Sequence, residues 1–188
     1  SGDSPLVEEG ILGAKKTGQA LKDVKFSAAY SSMQKRAQDT ANYILAENNL
    51  ANIPHFHHAG LNEFDFGSWE GMKSVDLFDH DEYWIMKRTP KDYKALSNGG
   101  ETYEKVYQRA LAAFKEIAEK HQQDENVLIV SHGMTLTVLT AVLKGLPWHE
   151  ARNEDLHSFV INTAINIVEV DGEKSTLKVF NQVDHLDK

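Results

Sequence analysis

The segment Val127-Leu128-Ile129-Val130 is an unbroken aliphatic run that passes directly into Ser131-His132-Gly133. A strand with one wet face alternates apolar and polar residues, so a continuous run predicts a parallel strand covered on both faces. Met134 to Leu143 then reads as a helix, closed by Gly145 and Pro147. A strand that hands over directly to a helix is the unit of an α/β sheet, and the chain repeats it. Phe26 to Tyr30 predicts a short buried strand ending at Ser31-Ser32, and Ala37, Ala41, Ile44 and Leu45 line one face of the helix after it. Upstream, Asp3-Ser4-Pro5-Leu6 reads as a turn feeding a helix that carries Ile11, Ala14, Gly18 and Leu21 on one face. After a break at Gly99-Gly100, Val106, Ala110, Ala113, Phe114 and Ile117 mark the clearest amphipathic helix, running to His121.

The remaining stretches are less regular. Ala59-Gly60-Leu61-Asn62 is expected to be a short strand, and Phe64, Phe66, Gly67 and Trp69 follow without a period. Met72 to Asn98 is expected to form short helices over the sheet, and Phe159 to Val170 and Thr176 to Phe180 flank Asp171-Gly172, a hairpin signal. With no repeat and no low-complexity linker, the 188 residues suit one domain. The expected fold class is a three-layer α/β/α sandwich with a mostly parallel central sheet and an antiparallel edge.

Composition removes several functions. The chain carries 28 acidic and 20 basic residues, a formal charge of −8, with no long Lys/Arg run, which argues against nucleic acid as a main partner while leaving room for a local cationic pocket. Without cysteine there is no disulfide, zinc-thiolate site or thiol nucleophile. No apolar run approaches the ~18 residues of a membrane span and no signal-like start is visible, so no membrane partner is expected and the cytoplasm is the default location. No oligomeric interface is assigned from the sequence.

Ligands of open α/β sheets bind beyond the carboxyl ends of the strands, where helix N-termini offer unpaired N–H groups. Arg36, Glu63 and His132 fall at such places. A cation to neutralise oxyanions, an imidazole to donate to them and a carboxylic acid to protonate a leaving oxygen suit phosphoryl transfer. Each residue also has a plainer reading. His132 can serve as a structural donor to backbone. Arg36 stands in the first turn of its helix, against the macrodipole, and is either a solvated side chain or is there for an anion. Glu63, beside Phe64 and Phe66, is either a partly buried acid or a rim charge. His55, His57 and His58 are either a solvated cluster or transition-metal ligands. Tyr83, Trp84 and Tyr93 either line a substrate entrance or pack a lid onto the core.

Five blocks together carry a resemblance. Asp3-Ser4-Pro5-Leu6, the segment from Phe26 through Arg36 to Ala41, Leu61-Asn62-Glu63-Phe64-Asp65-Phe66-Gly67-Ser68-Trp69-Glu70-Gly71, Gly99-Gly100-Glu101-Thr102 and Val127 to Gly133 resemble, in order, blocks of the histidine phosphatase superfamily, the phosphoglycerate-mutase-like fold. They span nearly the whole chain. The resemblance implies a reaction without metal or cofactor, in which a histidine on the first strand attacks phosphorus and water later hydrolyses the phosphohistidine. It implies that Arg36 binds the phosphoryl group, that His132 donates to its oxygens, and that Glu63 acts as general acid and then base. Glu101 is then a substrate-site residue at the pocket mouth that positions groups near the phosphate, or else a helix-start carboxylate stabilised by the dipole. Trp69 and Glu70 are expected to close the turn below the pocket. The family's arginine-histidine-glycine motif is expected before Asp3, where only Ser1 and Gly2 stand, and the one His-Gly pair present is His132-Gly133. An upstream piece of about 15 to 25 residues, carrying the central strand of the sheet, is therefore expected. Val7 stands where relatives often have a capping threonine, so Ser4 or Asp3 is expected to cap instead.

Within the family, 37 residues lie between Glu63 and Glu101 and the segment after His132 is short and hairpin-like. This favours hydrolysis of a small phosphomonoester over a phosphoglycerate mutase, whose phosphohistidine must be shielded from water. Outside catalysis, the alternative is a phospholigand-binding module that keeps Arg36 and His132. A polypeptide that truly began at Ser1 is expected to show no phosphohistidine turnover. Robust phosphatase activity from a mass-verified 188-residue chain would overturn that expectation.

Overall fold

The computed structural model describes residues 4–187, so Asp3 of the expected turn lies outside the described residues. Three strands, β1 (Phe26–Ser31), β2 (His55–His57) and β3 (Asn126–Val130), form a parallel sheet in the order β2-β1-β3. Side chains alternate across it, as the pleat requires. Leu128 and Val130 point to one face, where Ala14 of α1 (Glu8–Ala20) and Ala37, Ala41 and Ile44 of α2 (Lys35–Ala46) cover them. Ala28, Tyr30, Val127 and Ile129 point to the other, against Ala113 and Ile117 of α4 (Tyr103–Glu119). The short α3 (Asp81–Arg88) precedes that helix, and α5 (Gly133–Leu143) packs beside it through Ala110, Phe114 and Leu139. The three layers and the parallel sheet are those expected.

The hairpin turns at Gly172, whose φ of 58° suits a residue without Cβ, and pairs β4 (Ile165–Asp171) with β5 (Lys174–Gln182) antiparallel. Its first strand starts later than expected. Over residues 159–164 the Asn181 side chain takes the place of a partner strand, accepting from the Ile161 N–H at 2.9 Å and donating to the Phe159 carbonyl at 2.7 Å. Val168 and Val170 join Phe114, Leu139 and Ile129. A cleft of about 680 Å³ runs between β3 and β4, lined by Ile117, Val127, Ile129, Ile167, Val168 and Val170 among others. Among the described residues, β3 pairs with no strand on its edge away from β1.

Two further expectations are corrected. Ala59–Leu61 is a 3-10 turn, not a strand: the Leu61 N–H returns to the His58 carbonyl at 3.0 Å and the Gly60 N–H donates to His58 Nδ1. The strand beside β1 is instead His55–His57, too short and too polar to show an alternation. Ser4 does not cap α1. The N-cap is Val7, whose side chain has no oxygen to offer, and Glu8 and Glu9 place negative charge in the first turn instead. Among the described residues no helix is long and apolar enough to cross a membrane.

His157 is 2% exposed and lies under Phe180, ring centroids 4.6 Å apart. Its Nε2 stands 3.1 Å from the Thr137 carbonyl, which can only accept, so Nε2 carries the proton. Nδ1 is buried without a partner. Burial first, and then the charge of Lys144, hold this imidazole below its ordinary value of 6.5, partly offset by the Thr137 carbonyl. The folded state therefore favours neutral His157, a contribution fully present above pH 6.5 and lost progressively as pH falls below it. Urea midpoints compared at about pH 7.5 and 5.5 should fall toward acid, and His157→Gln should flatten part of that slope.

Candidate active site

The register that pairs Ser31 with Val130 makes β1 and β3 leave the sheet side by side. Ser32 and His132 emerge together, Ser32 Oγ lying 2.6 Å from His132 Nε2, and both are buried. Ser32 Oγ also accepts from the Gln34 N–H at 3.2 Å, which shapes the turn into α2. His132 is the N-cap of α5 without providing a side-chain cap.

That helix start is occupied from elsewhere in the chain. Glu63 Oε1 accepts from the Thr135 N–H at 3.1 Å and from its neighbour Phe64 N–H at 2.8 Å, while Oε2 lies 3.4 Å from the Met134 nitrogen. The free N–H groups and partial positive charge of a first helical turn account for this seat. More bonds knit the surrounding segments. Gln34 Oε1 accepts from the Glu63 N–H at 2.8 Å, and Asn62 Oδ1 accepts from the Met33 N–H at 2.9 Å. Thr135 Oγ1 donates to the Asn62 carbonyl at 2.7 Å and Ser131 Oγ to the Leu61 carbonyl at 2.6 Å. The structure thus brings Glu63 and His132 to one helix start. Arg36 stands two residues past Gln34, half-buried in the first turn of α2.

Glu101 precedes α4, whose N-cap bond comes from Thr102 Oγ1 accepting from Lys105 N–H. Its carboxyl turns to Arg109, with Oε1 2.7 Å from Nε and Oε2 2.8 Å from Nη2, and Oε2 also accepts from the Asp65 N–H at 3.1 Å. The adjoining turn is a seam of touching backbones. A Cβ on Gly100 would run into the Asp65 carbonyl, and one on Gly67, at φ 54°, into that of Asn98. Glu70 Oε1 accepts from the Phe66 N–H at 2.9 Å and Trp69 is buried, so both close this turn. Tyr83 and Tyr93 are buried in the same aromatic cluster, packing the lid onto the core, while Trp84 is half-buried with the Arg88 guanidinium 4.7 Å from its ring centroid.

Of the three clustered histidines, His55 and His57 meet edge to face with ring centroids 4.8 Å apart, and His58 points elsewhere. His55 Nε2 and His57 Nδ1 converge on Ser31 Oγ at 2.9 and 3.0 Å, whereas His58 turns to the Gly60 N–H and to Glu116 at 3.1 Å. Burial, then the neighbouring His57, lowers the pKa of His55. Among the described residues no group of three or more His, Cys, Asp or Glu side chains is arranged to hold a metal ion.

Sequence reasoning passed over Ser32, Gln34, Thr135 and Arg109. The first three are ordinary polar residues whose partners lie on other segments. Arg109 did leave a signal: it falls three residues after Val106 and four before Ala113, so it interrupts the buried stripe of α4 with a charge.

The chain belongs to the histidine phosphatase superfamily (branch 1), whose family model matches residues 1–183. The 2,3-bisphosphoglycerate-dependent phosphoglycerate mutase of Methylobacterium sp. (strain 4-46) is 33% identical over 150 residues, covering 77% of this chain and 71% of that protein. Among solved structures, Bacillus stearothermophilus YhfR superposes with a TM-score of 0.87 at 32% identity, covering 98% of this chain and 88% of that one. A putative alpha-ribazole-5'-P phosphatase from Escherichia coli superposes with a TM-score of 0.80 at 27% identity, covering 97% and 87%. Named relatives therefore include a mutase and a phosphatase.

Gly100→Ala should destabilise the fold by about 2 kcal/mol through backbone overlap with Asp65. The loss is read from a shift of the denaturant midpoint, and an unchanged midpoint would show that the seam can open without cost.

Proposed function

We propose that this protein hydrolyses a small phosphomonoester through a phosphohistidine intermediate, with the nucleophilic imidazole on a strand upstream of Ser1. The observation that carries the reading is the convergence of Glu63 and His132 at the start of α5, knit to the β1–α2 turn that leads into Arg36. Arg36 holds the phosphoryl oxygens, and His132 donates to them as negative charge grows. As the nucleophile's nitrogen bonds to phosphorus and the P–O bond to the leaving group breaks, Glu63 passes its proton to the departing oxygen. The resulting carboxylate then takes a proton from the water that attacks phosphorus, releasing phosphate and restoring the imidazole. On this reading Glu101, whose carboxyl is held by Arg109, belongs to the substrate site by helping to order the groups near the phosphate.

The cleft between β3 and β4, where among the described residues β3 pairs with no strand and Ile117, Val127, Ile129, Ile167, Val168 and Val170 contribute apolar side chains, supports the further strand. The short stretch between Glu63 and Glu101 supports hydrolysis over mutase chemistry, as does the similarity to the E. coli phosphatase. The similarity to the Methylobacterium mutase favours the second reading, phosphoglycerate interconversion.

The natural full-length polypeptide should release phosphate from a panel of phosphomonoesters faster than it interconverts phosphoglycerates. Glu63→Gln and His132→Ala should each lower kcat by about 100-fold or more. Faster interconversion would identify a mutase. Tight binding of phosphate esters without turnover would identify a binding module.

A further inference from the structure

Arg109 lies midway along α4, far in sequence from Glu63, yet all five of its N–H donors are engaged around that residue. Nε and one Nη2 proton grip the two oxygens of Glu101 at 2.7 and 2.8 Å. The second Nη2 proton reaches the Glu63 carbonyl at 3.1 Å, and Nη1 donates to the Gly60 and Asn62 carbonyls at 2.9 and 2.8 Å. A guanidinium has no donors beyond these five. Arg109 and Glu101 are each 22% exposed, so the pair is mostly shielded from water.

The same segment is pressed directly against α4. A Cβ on Gly60 would lie 2.6 Å from that of Ala113 and 2.8 Å from the Arg109 carbonyl, so only glycine permits the contact. Residues 60–63 are therefore fixed from below by a close approach and from the side by three charge-assisted bonds. On the far side Glu63 presents its carboxyl to the Met134 and Thr135 N–H groups. Displacement of the 60–63 backbone would move that carboxyl relative to α5, and proton transfer tolerates little misplacement.

We infer that Arg109, itself oriented by Glu101, is a positioning residue that holds the 60–63 backbone so that Glu63 can deliver its proton to the leaving group. The inference rests on the proposed role of Glu63 and adds how that role is enforced. Glu101 thereby gains a specific role, because its carboxylate fixes the fork geometry of the guanidinium. Lysine keeps the charge but offers a single ammonium with three donors, so it cannot span one carboxylate and three carbonyls.

The test uses the natural full-length polypeptide and two substrates, an alkyl phosphate, whose alkoxide needs a proton to leave, and 4-nitrophenyl phosphate, whose phenolate does not. Glu63→Gln sets the reference pattern. Arg109→Lys should follow it, with a loss of kcat about tenfold or more larger for the alkyl than for the aryl ester and with KM moving by less than about twofold. Amide hydrogen exchange should quicken at residues 60–63 and at Met134 and Thr135 in the same variant. Should Arg109→Lys not fold, Glu101→Gln carries the same expectation at smaller amplitude. Equal losses for both esters, or unchanged exchange at residues 60–63, would overturn the inference while a leaving-group-dependent Glu63→Gln left the role of Glu63 intact. A Glu63→Gln enzyme indifferent to the leaving group would instead remove the proton-donor role, and the positioning role with it.

Discussion

The start of α5 needs hydrogen-bond acceptors, and the chain meets that need with a carboxylate from another segment. His132 caps the helix in position only, since its side chain makes no cap bond. Glu63 supplies the oxygens that the Met134 and Thr135 N–H groups face. Because a first helical turn carries unpaired donors and partial positive charge, this contact stabilises the helix and at the same time brings an acid to the helix start that follows His132. Most of the surrounding polar bonds serve to keep these two segments together. Ser131 ties to Leu61, Thr135 to Asn62, and Gln34 brings in the turn from β1.

The sheet explains why those segments meet. Parallel strands present their carboxyl ends on one edge, and the register between β1 and β3 sets Ser32 next to His132 with no further device. Small residues keep the layers close: Ala14, Ala37 and Ala41 are buried between the two helices and the sheet. The opposite layer is built by α4 and α5 around Ala110, Phe114 and Leu139, where β4 also contributes Val168 and Val170. The polar edge is thus carried on a core whose packing is set by short side chains.

The stretch from Phe64 to Gly100 is less regular, but it is not loosely attached. Phe64 and Phe66 stack with centroids 4.9 Å apart, and Phe64, Tyr93 and Tyr103 form edge and tilted contacts beneath them. Aromatic burial supplies the apolar area that this segment lacks as regular structure. Burial pushes the Tyr103 hydroxyl up to about 12, and it donates to the Met86 carbonyl at 3.1 Å. The seam of Gly67 and Gly100 then delivers Glu101 to Arg109, so the lid and the Glu63 segment share one anchor.

What the amino-acid order determined by itself was periodic. The run at Val127 to Val130 and the stripes of α1, α2 and α4 could be read because alternate or 3.6-spaced positions share a face whatever the rest of the chain does. Family-like blocks around Arg36, Glu63 and His132 were legible for a similar reason, each being a short contiguous stretch. Tertiary structure alone decided the strand at His55–His57, whose pairing with β1 has no apolar alternation behind it, and the irregular path at 159–164, which exists because Asn181 stands in for a strand. It also decided what Glu101 and Arg109 do. A charge inside a buried stripe announces that a partner exists, but which carbonyls and which carboxylate satisfy it depends on where distant segments cross, and hydrogen bonds form between atoms brought within about 3 Å, not between positions in a sequence.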